Sequence, residues 1–237
     1  MPVEDLAPEL DGLRIAHLSD FHLGAPSRGT LAVERAVEWV AARRPELVCI
    51  TGDLLSRPRG EPVLRRLLAR LGPAFAVLGN HDLADSRDPF SKPVVLGELG
   101  ETVLLSDESR IILVKGRRVQ ILGLDPRSRW RASTVVARLV DPSADLRIVL
   151  SHFPELIRGA LPKPFELALA GHMHAGQIVL PHPGGRLLLA HPRARESHGF
   201  YHHGGTTLHV SAGLGTSLVP FRFFARPEVT ELVLRRG

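Results

Sequence analysis

The chain is poor in cysteine and aromatic residues and has no long apolar run, and each shortage excludes a class of protein. Cys49 is the only cysteine among 237 residues, so an internal disulfide is excluded, and its apolar neighbours indicate a small buried side chain. Aromatic residues make up only 5%, which argues against a stacking surface for single-stranded nucleic acid. No stretch approaches the roughly 18 consecutive apolar residues of a membrane-spanning helix.

The first residues, 1–11, are acidic and contain neither the basic segment nor the apolar segment of a signal peptide. We therefore expect a cytoplasmic protein without an integral membrane segment, with peripheral contact to a membrane left open. Lys and Arg number 30 against 25 Asp and Glu, giving a net charge of +5 without any basic block. Nucleic acid is accordingly not expected as a partner.

What the chain does contain is an ordinary balance for a folded protein, with 44% hydrophobic and 23% charged residues. Its length fits one domain over 1–237. Apolar runs at 14–18, 47–51 and 74–78 alternate with helical patterns at 30–44 and 61–71. This βαβαβ order is typical of a mainly parallel sheet.

The pattern changes after residue 100 to closely spaced extended runs, for which we expect antiparallel pairing. They lie at 102–105, 110–114 and 119–124, with Lys115 and Gly116 forming a turn between the last two. Further strands are predicted at 146–150, 167–170, 187–189, 208–211 and 229–234, and long loops over 181–205. So many strands indicate two stacked sheets with helices outside.

Five apolar runs end in the same way, with a small or polar residue followed by side chains that can bind metal. The five are Ser19-Asp20-Phe21-His22, Gly52-Asp53, Gly79-Asn80-His81-Asp82, Ser151-His152 and Gly171-His172-Met173-His174. Ligands of open α/β sheets bind beyond the carboxyl ends of the strands, so these segments can converge although they are far apart in sequence.

The side chains offered are carboxylates, imidazoles and an amide without any thiolate, a set suited to Mn, Fe, Zn, Co or Ni. Seven ligands are too many for one ion: Asp20, His22, Asp53, Asn80, His152, His172 and His174. They make two sites of four if one carboxylate bridges, and Asp53 is the natural bridge. Two ions about 3.5 to 4 Å apart suit in-line displacement at phosphorus by a shared hydroxide.

His81 directly follows a predicted ligand, so it lies near the ions without being needed to bind them. An imidazole in that place can protonate the departing alkoxide as a general acid. Asp82 is expected to orient its ring.

These five segments, in this order, resemble the calcineurin-like metallophosphoesterase family, and within it the YkuE/YaeI-type phosphodiesterases. The subgroup likeness also rests on Gly171 to Gln177, on Val210 to Ser217 and on the closing Arg226-Pro227-Glu228. The subgroup usually has Thr and Gly where this chain has Met173 and Ala175, which puts the fit of the substrate in doubt.

The resemblance implies an α/β fold, a four-layer αββα sandwich of two mixed sheets with the metal site at the carboxyl ends of the strands. It also implies a dinuclear phosphoric ester hydrolase, with Mn²⁺ the expected ion. One ion would take Asp20, His22, Asp53 and His174, and the other Asp53, Asn80, His152 and His172.

The leading hypothesis is a phosphodiesterase or phosphatase acting on a small or lipid-linked phosphate ester. One alternative is a nuclease of the same family, which would show strong salt dependence. Another is a metal-binding scaffold that has lost catalysis and binds a partner protein, although His81 is retained. The sequence leaves the oligomeric state and the role of 181–205 open.

Overall fold

The computed structural model describes residues 1–89, 91–128, 130–160, 165–192 and 194–237. The α-helices in this part of the chain are α1 (Gly29–Arg43), α2 (Glu61–Leu71), α3 (Ala132–Leu139) and α4 (Pro154–Ala160). None of these four is both long enough and apolar enough to cross a bilayer.

The strands are β1 (Pro2–Val3), β2 (Arg14–Leu18), β3 (Leu47–Thr51), β4 (Ala74–Val77), β5 (Thr102–Leu104), β6 (Glu108–Val114), β7 (Arg117–Gly123), β8 (Leu146–Leu150), β9 (Leu167–Ala170), β10 (Val179–His182), β11 (Gly185–Leu188), β12 (Gly199–His203), β13 (Thr206–Val210), β14 (Thr230–Val233) and β15 (Arg235–Arg236).

Most of these strands form two large mixed sheets. One has five strands in the order β14-β2-β3-β4-β5, in which only the edge strand β14 is antiparallel to its neighbour. The other has six strands in the order β12-β13-β9-β8-β7-β6, with four parallel inner strands and an antiparallel strand at each edge. Two short pairs, β1 with β15 and β10 with β11, complete the strands.

The two large sheets pack face to face through a shared apolar core. Strand side chains alternate between faces, and one alternate set from each sheet, including Ile15, Cys49, Ile121 and Ile148, forms a single buried cluster. The other face of the five-stranded sheet packs against α1 and α2, and that of the six-stranded sheet against α3 and α4. The predicted four-layer αββα arrangement is confirmed.

Local signals end the first elements where the sequence predicts. Arg44 takes a left-handed φ of 50° directly after α1, and Pro45 follows it. Gly72, with φ of 74°, follows α2 in the same way. Lys115 and Gly116 both have positive φ in the turn between β6 and β7, as a two-residue hairpin requires.

Two expectations are wrong. The extended run at 102–105 does not pair antiparallel with the runs that follow it, because β5 lies parallel to β4 at the edge of the five-stranded sheet. The segment 181–205 is not all loop, since it contains β11, β12 and the end of β10. Four of its glycines lie at hairpin turns, at 184–185 and at 204–205, and Gly199 begins β12; Arg193 in that segment is outside the described residues.

Candidate metal centre

The predicted metal ligands lie just beyond five strand ends, at the seam between the two large sheets. The five-stranded sheet supplies those after β2, β3 and β4, and the six-stranded sheet supplies those after β8 and β9. In chain order they are Asp20 and His22, Asp53, Asn80, His152, and His172 and His174. Parallel strands place their carboxyl ends along one edge, and stacking brings the two edges together.

Four of these side chains form a compact first group made of Asp20, His22, Asp53 and His174. Each offers one ligand atom, and these atoms all lie within 4.8 Å of one another. Nε2 of His22 lies 3.1 Å from Nε2 of His174, which lies 3.4 Å from Oδ1 of Asp20. All four residues are buried.

A second group is centred on His152. Its Nε2 lies 3.1 Å from Oδ1 of Asn80, 3.2 Å from Nδ1 of His172 and 3.3 Å from Oδ2 of Asp53. The same Oδ2 of Asp53 lies 3.3 Å from Nε2 of His22 in the first group. Asp53 therefore contacts both groups through one oxygen atom.

The backbone that carries these side chains is strained. Left-handed φ angles occur at five of the seven positions: 54° at Asp20, 48° at His22, 52° at Asp53, 71° at His172 and 48° at His174. Such conformations cost on the order of 1–3 kcal/mol each and persist only where the surroundings fix them. Here backbone bonds from Asp20 N to Gly52 O, 3.0 Å, and from His22 N to Asp53 O, 2.9 Å, tie the two strand ends together.

Two of the imidazoles are oriented by groups behind them. Nδ1 of His152 lies 2.8 Å from the carbonyl oxygen of Thr51, which can only accept, so this nitrogen carries a proton and Nε2 is the ring nitrogen that faces the centre. Nδ1 of His22 lies 2.9 Å from the hydroxyl of Ser56. Such outer contacts commonly fix the ring of a metal-binding histidine.

Arg222 fixes the position of His174, which belongs to the first group. Its guanidinium donates to Nδ1 of His174 at 3.0 Å and to the carbonyl oxygens of Ala212 and Gly215, each at 2.8 Å. Sequence reasoning missed both Arg222 and Ser56, which lie 48 and 34 residues from the histidines they contact. Neither residue belongs to a local pattern, so no signal in the sequence marked them.

The charges of the centre fit divalent cations. Burial lowers the pKa of His22 to about 3, which leaves a neutral imidazole with a free lone pair. Burial would also lower the pKa of His152, but the carboxylate of Asp53 raises it to about 9. Without a metal ion, a proton on His152 offsets the buried negative charge of Asp53. A metal ion would neutralise that charge instead, and metal binding to such a site releases protons.

His81 lies beside both groups. Its Nε2 is 3.0 Å from the hydroxyl of Ser86 and 3.9 Å from Oδ2 of Asp53, and its ring meets that of His22 edge-on at 4.5 Å. Its Nδ1 is buried without a hydrogen bond among the described residues and lies 3.9 Å from Oδ2 of Asp88. The ring of His81 therefore faces the centre through Nε2, and its Nδ1 faces Asp88.

Asp82 does not orient His81, contrary to our expectation. Its carboxylate accepts hydrogen bonds from three backbone N–H groups, those of Leu54 at 3.1 Å, Leu55 at 2.8 Å and Gly79 at 2.9 Å. These bonds join the segments that follow β3 and β4. Asp82 thus fixes the backbone under Asp53 and Asn80, because the carboxylate turns toward N–H groups that the strand ends leave without partners.

Two cavities open beside the centre and share Ala190 and His191 in their walls. The larger, about 540 Å³, is lined by charged side chains including Glu155, Arg158 and Arg195. The smaller, about 240 Å³, has mainly apolar walls and reaches His174 of the first group.

The histidines of the loop region behave differently from one another. The ring of His191 lies 5.2 Å from that of His172, so it is part of the surroundings of the centre. His198 and His203 instead place Nε2 2.7 Å from a carboxylate oxygen, of Glu228 and Glu196 respectively.

Comparison with known proteins places the chain among metallophosphoesterases. The model of the calcineurin-like phosphoesterase family matches residues 13–176. The metallophosphoesterase YkoQ of Bacillus subtilis is 32% identical over 96% of this chain and 85% of its own, and YkuE of the same organism is 29% identical over 95% and 80%. Phosphodiesterase YaeI of Escherichia coli is 27% identical over 93% and 82%. The resemblance to the YkuE/YaeI-type subgroup is confirmed.

Proposed function

Since this chain belongs to the calcineurin-like phosphoesterase family, whose members hydrolyse phosphate esters, we propose that it is a phosphodiesterase that uses two divalent cations. The observation that carries the proposal is the position of Asp53. Its Oδ2 lies 3.3 Å from an imidazole nitrogen of each ligand group, as a carboxylate shared by two cations should.

The two ligand groups supply four side chains for each cation. One cation is assigned to Asp20, His22, Asp53 and His174, and the other to Asp53, Asn80, His152 and His172. Manganese is the expected ion, with iron, zinc, cobalt and nickel as the other ions that accept this mixed oxygen and nitrogen set. Such cations lower the pKa of water toward neutrality and so provide hydroxide at working pH.

In the proposed hydrolysis, the oxygen of water bonds to phosphorus, the opposite ester P–O bond breaks, and the leaving oxygen takes a proton. His81 is the proposed donor of that proton, because its Nε2 faces the centre, 3.9 Å from Oδ2 of Asp53. Asp82 takes a positioning role, since its three backbone bonds hold the segments that carry Asp53 and Asn80.

Preference for diesters is supported by the two cavities on either side of His191. A diester carries two organic groups on its phosphate, and each cavity can receive one. The printed name of YaeI, a phosphodiesterase, points in the same direction.

The test compares bis-p-nitrophenyl phosphate with p-nitrophenyl phosphate after chelation and again after Mn²⁺ is restored. We expect activity only with metal, with higher kcat/KM on the diester and two equivalents of metal bound. Asp53→Asn should lose both the metal and the hydrolysis, whereas Asp11→Asn, which changes an exposed carboxylate, should retain both.

Each other result has a definite meaning. Higher activity on the monoester would make the protein a phosphatase, and cleavage of DNA or RNA in preference to both would make it a nuclease. Full activity in Asp53→Asn, or with one equivalent of metal, would overturn the dinuclear assignment. Two bound ions without any hydrolysis would support the scaffold alternative.

A further inference from the structure

The hairpin β10–β11 is a small two-stranded sheet beside the metal centre, and the segment around Phe223 joins its edge through an isolated bridge. Ile178, just before β10, pairs with Phe223, and two backbone bonds of 2.9 Å join Phe223 to Gln177 and Val179. One face of this sheet is buried, because Val179 and Leu188 pack against the alanines at 175, 212 and 225. This packing fixes which side of the hairpin faces outward.

The outward face of this small sheet is apolar as well. Leu180 is paired with Leu187 across the hairpin, and Leu189 and Phe223 are the partners of Ile178 on its two sides. Period-two alternation therefore places these side chains on one face, opposite to the buried one. Their exposed fractions are 42% for Leu180, 45% for Leu187, 48% for Leu189 and 45% for Phe223.

Other large apolar side chains lie exposed in the segment that pairs with the hairpin: Leu218, Phe221 and Phe224. The rings of Phe223 and Phe224 are 4.7 Å apart. Antiparallel sheets that face water normally carry polar side chains on that face. A contiguous apolar patch on a soluble protein marks an interaction site. We call the outward face of the small sheet, with these three residues, the apolar face.

The apolar face continues into the metal centre. Ile178 and Leu189 belong both to this face and to the wall of the cavity of about 240 Å³, which Leu218 and Val219 complete. His174 of the first ligand group also lines that cavity. A molecule lying on the apolar face can therefore extend an apolar chain toward a phosphate at the metal centre.

Positive charge accompanies the apolar face. Arg186 lies in β11 on the face opposite to Leu187, but its guanidinium reaches the edge of the apolar face, where it donates to the carbonyl oxygen of Phe224 at 2.9 Å. Arg226 follows the same segment, and both arginines are exposed. Apolar side chains with flanking cations match the interface of a bilayer that contains anionic lipid.

From these observations we propose that the apolar face docks on a membrane surface and that the substrate is an amphiphilic phosphodiester. Its apolar chain enters the cavity between Leu189 and Leu218, and its phosphate reaches the metal centre. The substrate part of this inference rests on the proposed phosphodiesterase function, whereas membrane docking stands on the surface alone. A membrane fits better than a protein partner because the cavity leads from the apolar face to the centre.

Docking is tested by sedimentation of the metal-loaded protein with vesicles. Vesicles of equal parts phosphatidylcholine and phosphatidylglycerol should bind the protein, and vesicles of phosphatidylcholine alone should bind it more weakly. The double variant Leu180→Ser/Leu187→Ser should weaken binding by about tenfold or more, since two side chains lose their apolar burial. The matched control is Leu113→Ser, which removes a side chain 74% exposed on the distant edge strand β6.

Thermal unfolding of each variant confirms that the fold is intact before binding is compared. Absence of sedimentation with either vesicle would overturn docking, as would equal binding by the double variant and the wild type. Concentration-dependent dimers that the double variant abolishes, without vesicle binding, would assign the apolar face to a second copy of the chain instead.

The substrate class is tested with two diesters that share a leaving group, methyl p-nitrophenyl phosphate and dodecyl p-nitrophenyl phosphate. We expect kcat/KM to be at least about tenfold higher for the dodecyl compound, and Leu218→Ser to reduce this preference. Equal rates would overturn the amphiphile assignment alone. Failure to hydrolyse either diester would instead count against the proposed function.

Discussion

His17 and His209 join the two large sheets through a direct contact between their Nδ1 atoms, 2.8 Å apart in the buried core. His17 lies in β2 and His209 in β13, so each sheet contributes one ring. Nε2 of His17 continues the contact to the hydroxyl of Thr51 at 2.9 Å. One ring must donate and the other accept, which requires at least one neutral imidazole.

Removing one member of this pair should destabilise the protein. In His17→Ala the buried Nδ1 of His209 loses its partner, which costs about 1–3 kcal/mol in the free energy of unfolding. Replacing both rings, as in His17→Leu/His209→Leu, should cost less than the single change, because no polar atom is left unpaired. Urea denaturation measures both, with the exposed His182→Ala as the control. A double variant less stable than the single one would contradict this account.

The same pair should make stability depend on pH. Burial lowers the pKa of His209 from its ordinary 6.5 to about 4, and that of His17 falls well below 6.5 for the same reason. Between those values the unfolded chain takes up protons that the folded chain does not, so stability is full above pH 6.5 and falls toward pH 4. The loss from His209 is on the order of 3 kcal/mol.

Unfolding free energies between pH 7 and pH 4 check this prediction. The wild type should lose more stability over that range than His17→Leu/His209→Leu. The histidines of the candidate metal centre are common to both proteins and so cancel in the comparison. Parallel pH profiles would show that the pair does not titrate as its burial indicates.

His81→Ala should retain its metal and lose rate mainly on substrates with poor leaving groups. A general acid contributes roughly 10²–10⁴-fold when the leaving oxygen needs a proton, and far less when it leaves as a stabilised anion. We therefore expect a large fall in kcat/KM for methyl phenyl phosphate and a small one for methyl p-nitrophenyl phosphate. Equal falls on both substrates would indicate that His81 acts by holding Asp53 rather than by donating a proton.

Gly79→Ala should disrupt the centre by displacing Asp53. A Cβ at Gly79 would overlap Oδ1 and the backbone nitrogen of Asp53, so the shared carboxylate must move. A displacement of about 1 Å can cost 10²-fold in rate, and we expect kcat/KM to fall by about that amount. Gly97→Ala is the matched control, because a Cβ there meets nothing within 4 Å. Unchanged metal content and rate in Gly79→Ala would refute the tight seating of Asp53.

The sequence predicts the scaffold of the site better than its surroundings. Strands β2 and β3 and helix α2 lie at the predicted residues, because strong apolar runs and the stops at Pro45 and Gly72 define them locally. The strand-end segments converge because parallel strands share one edge, which a strand pattern is sufficient to imply.

Features that depend on contacts between distant residues were not predictable from local pattern. Arg222 and Ser56 meet their histidines only after the sheets stack, and the three donors to Asp82 are backbone groups that no side-chain motif encodes. Of the hairpin β10–β11, only part of β11 was predicted, as a strand at 187–189, and the rest was missed for a different reason. Its turn residues gave the segment the composition of a loop, and its outward leucines do not alternate with polar residues as in an ordinary surface strand.

Substitutions on the hairpin β10–β11 and substitutions at the strand ends around the centre should have different consequences during evolution. The strand ends that carry the ligands are tied into both large sheets, so a change there alters the reaction itself. The hairpin is joined to the segment around Phe223 mainly by backbone bonds, which do not depend on side-chain identity. Its outward residues can therefore diverge while the centre stays constant, and exchanging this hairpin between relatives offers a route to redirect the enzyme toward new substrates.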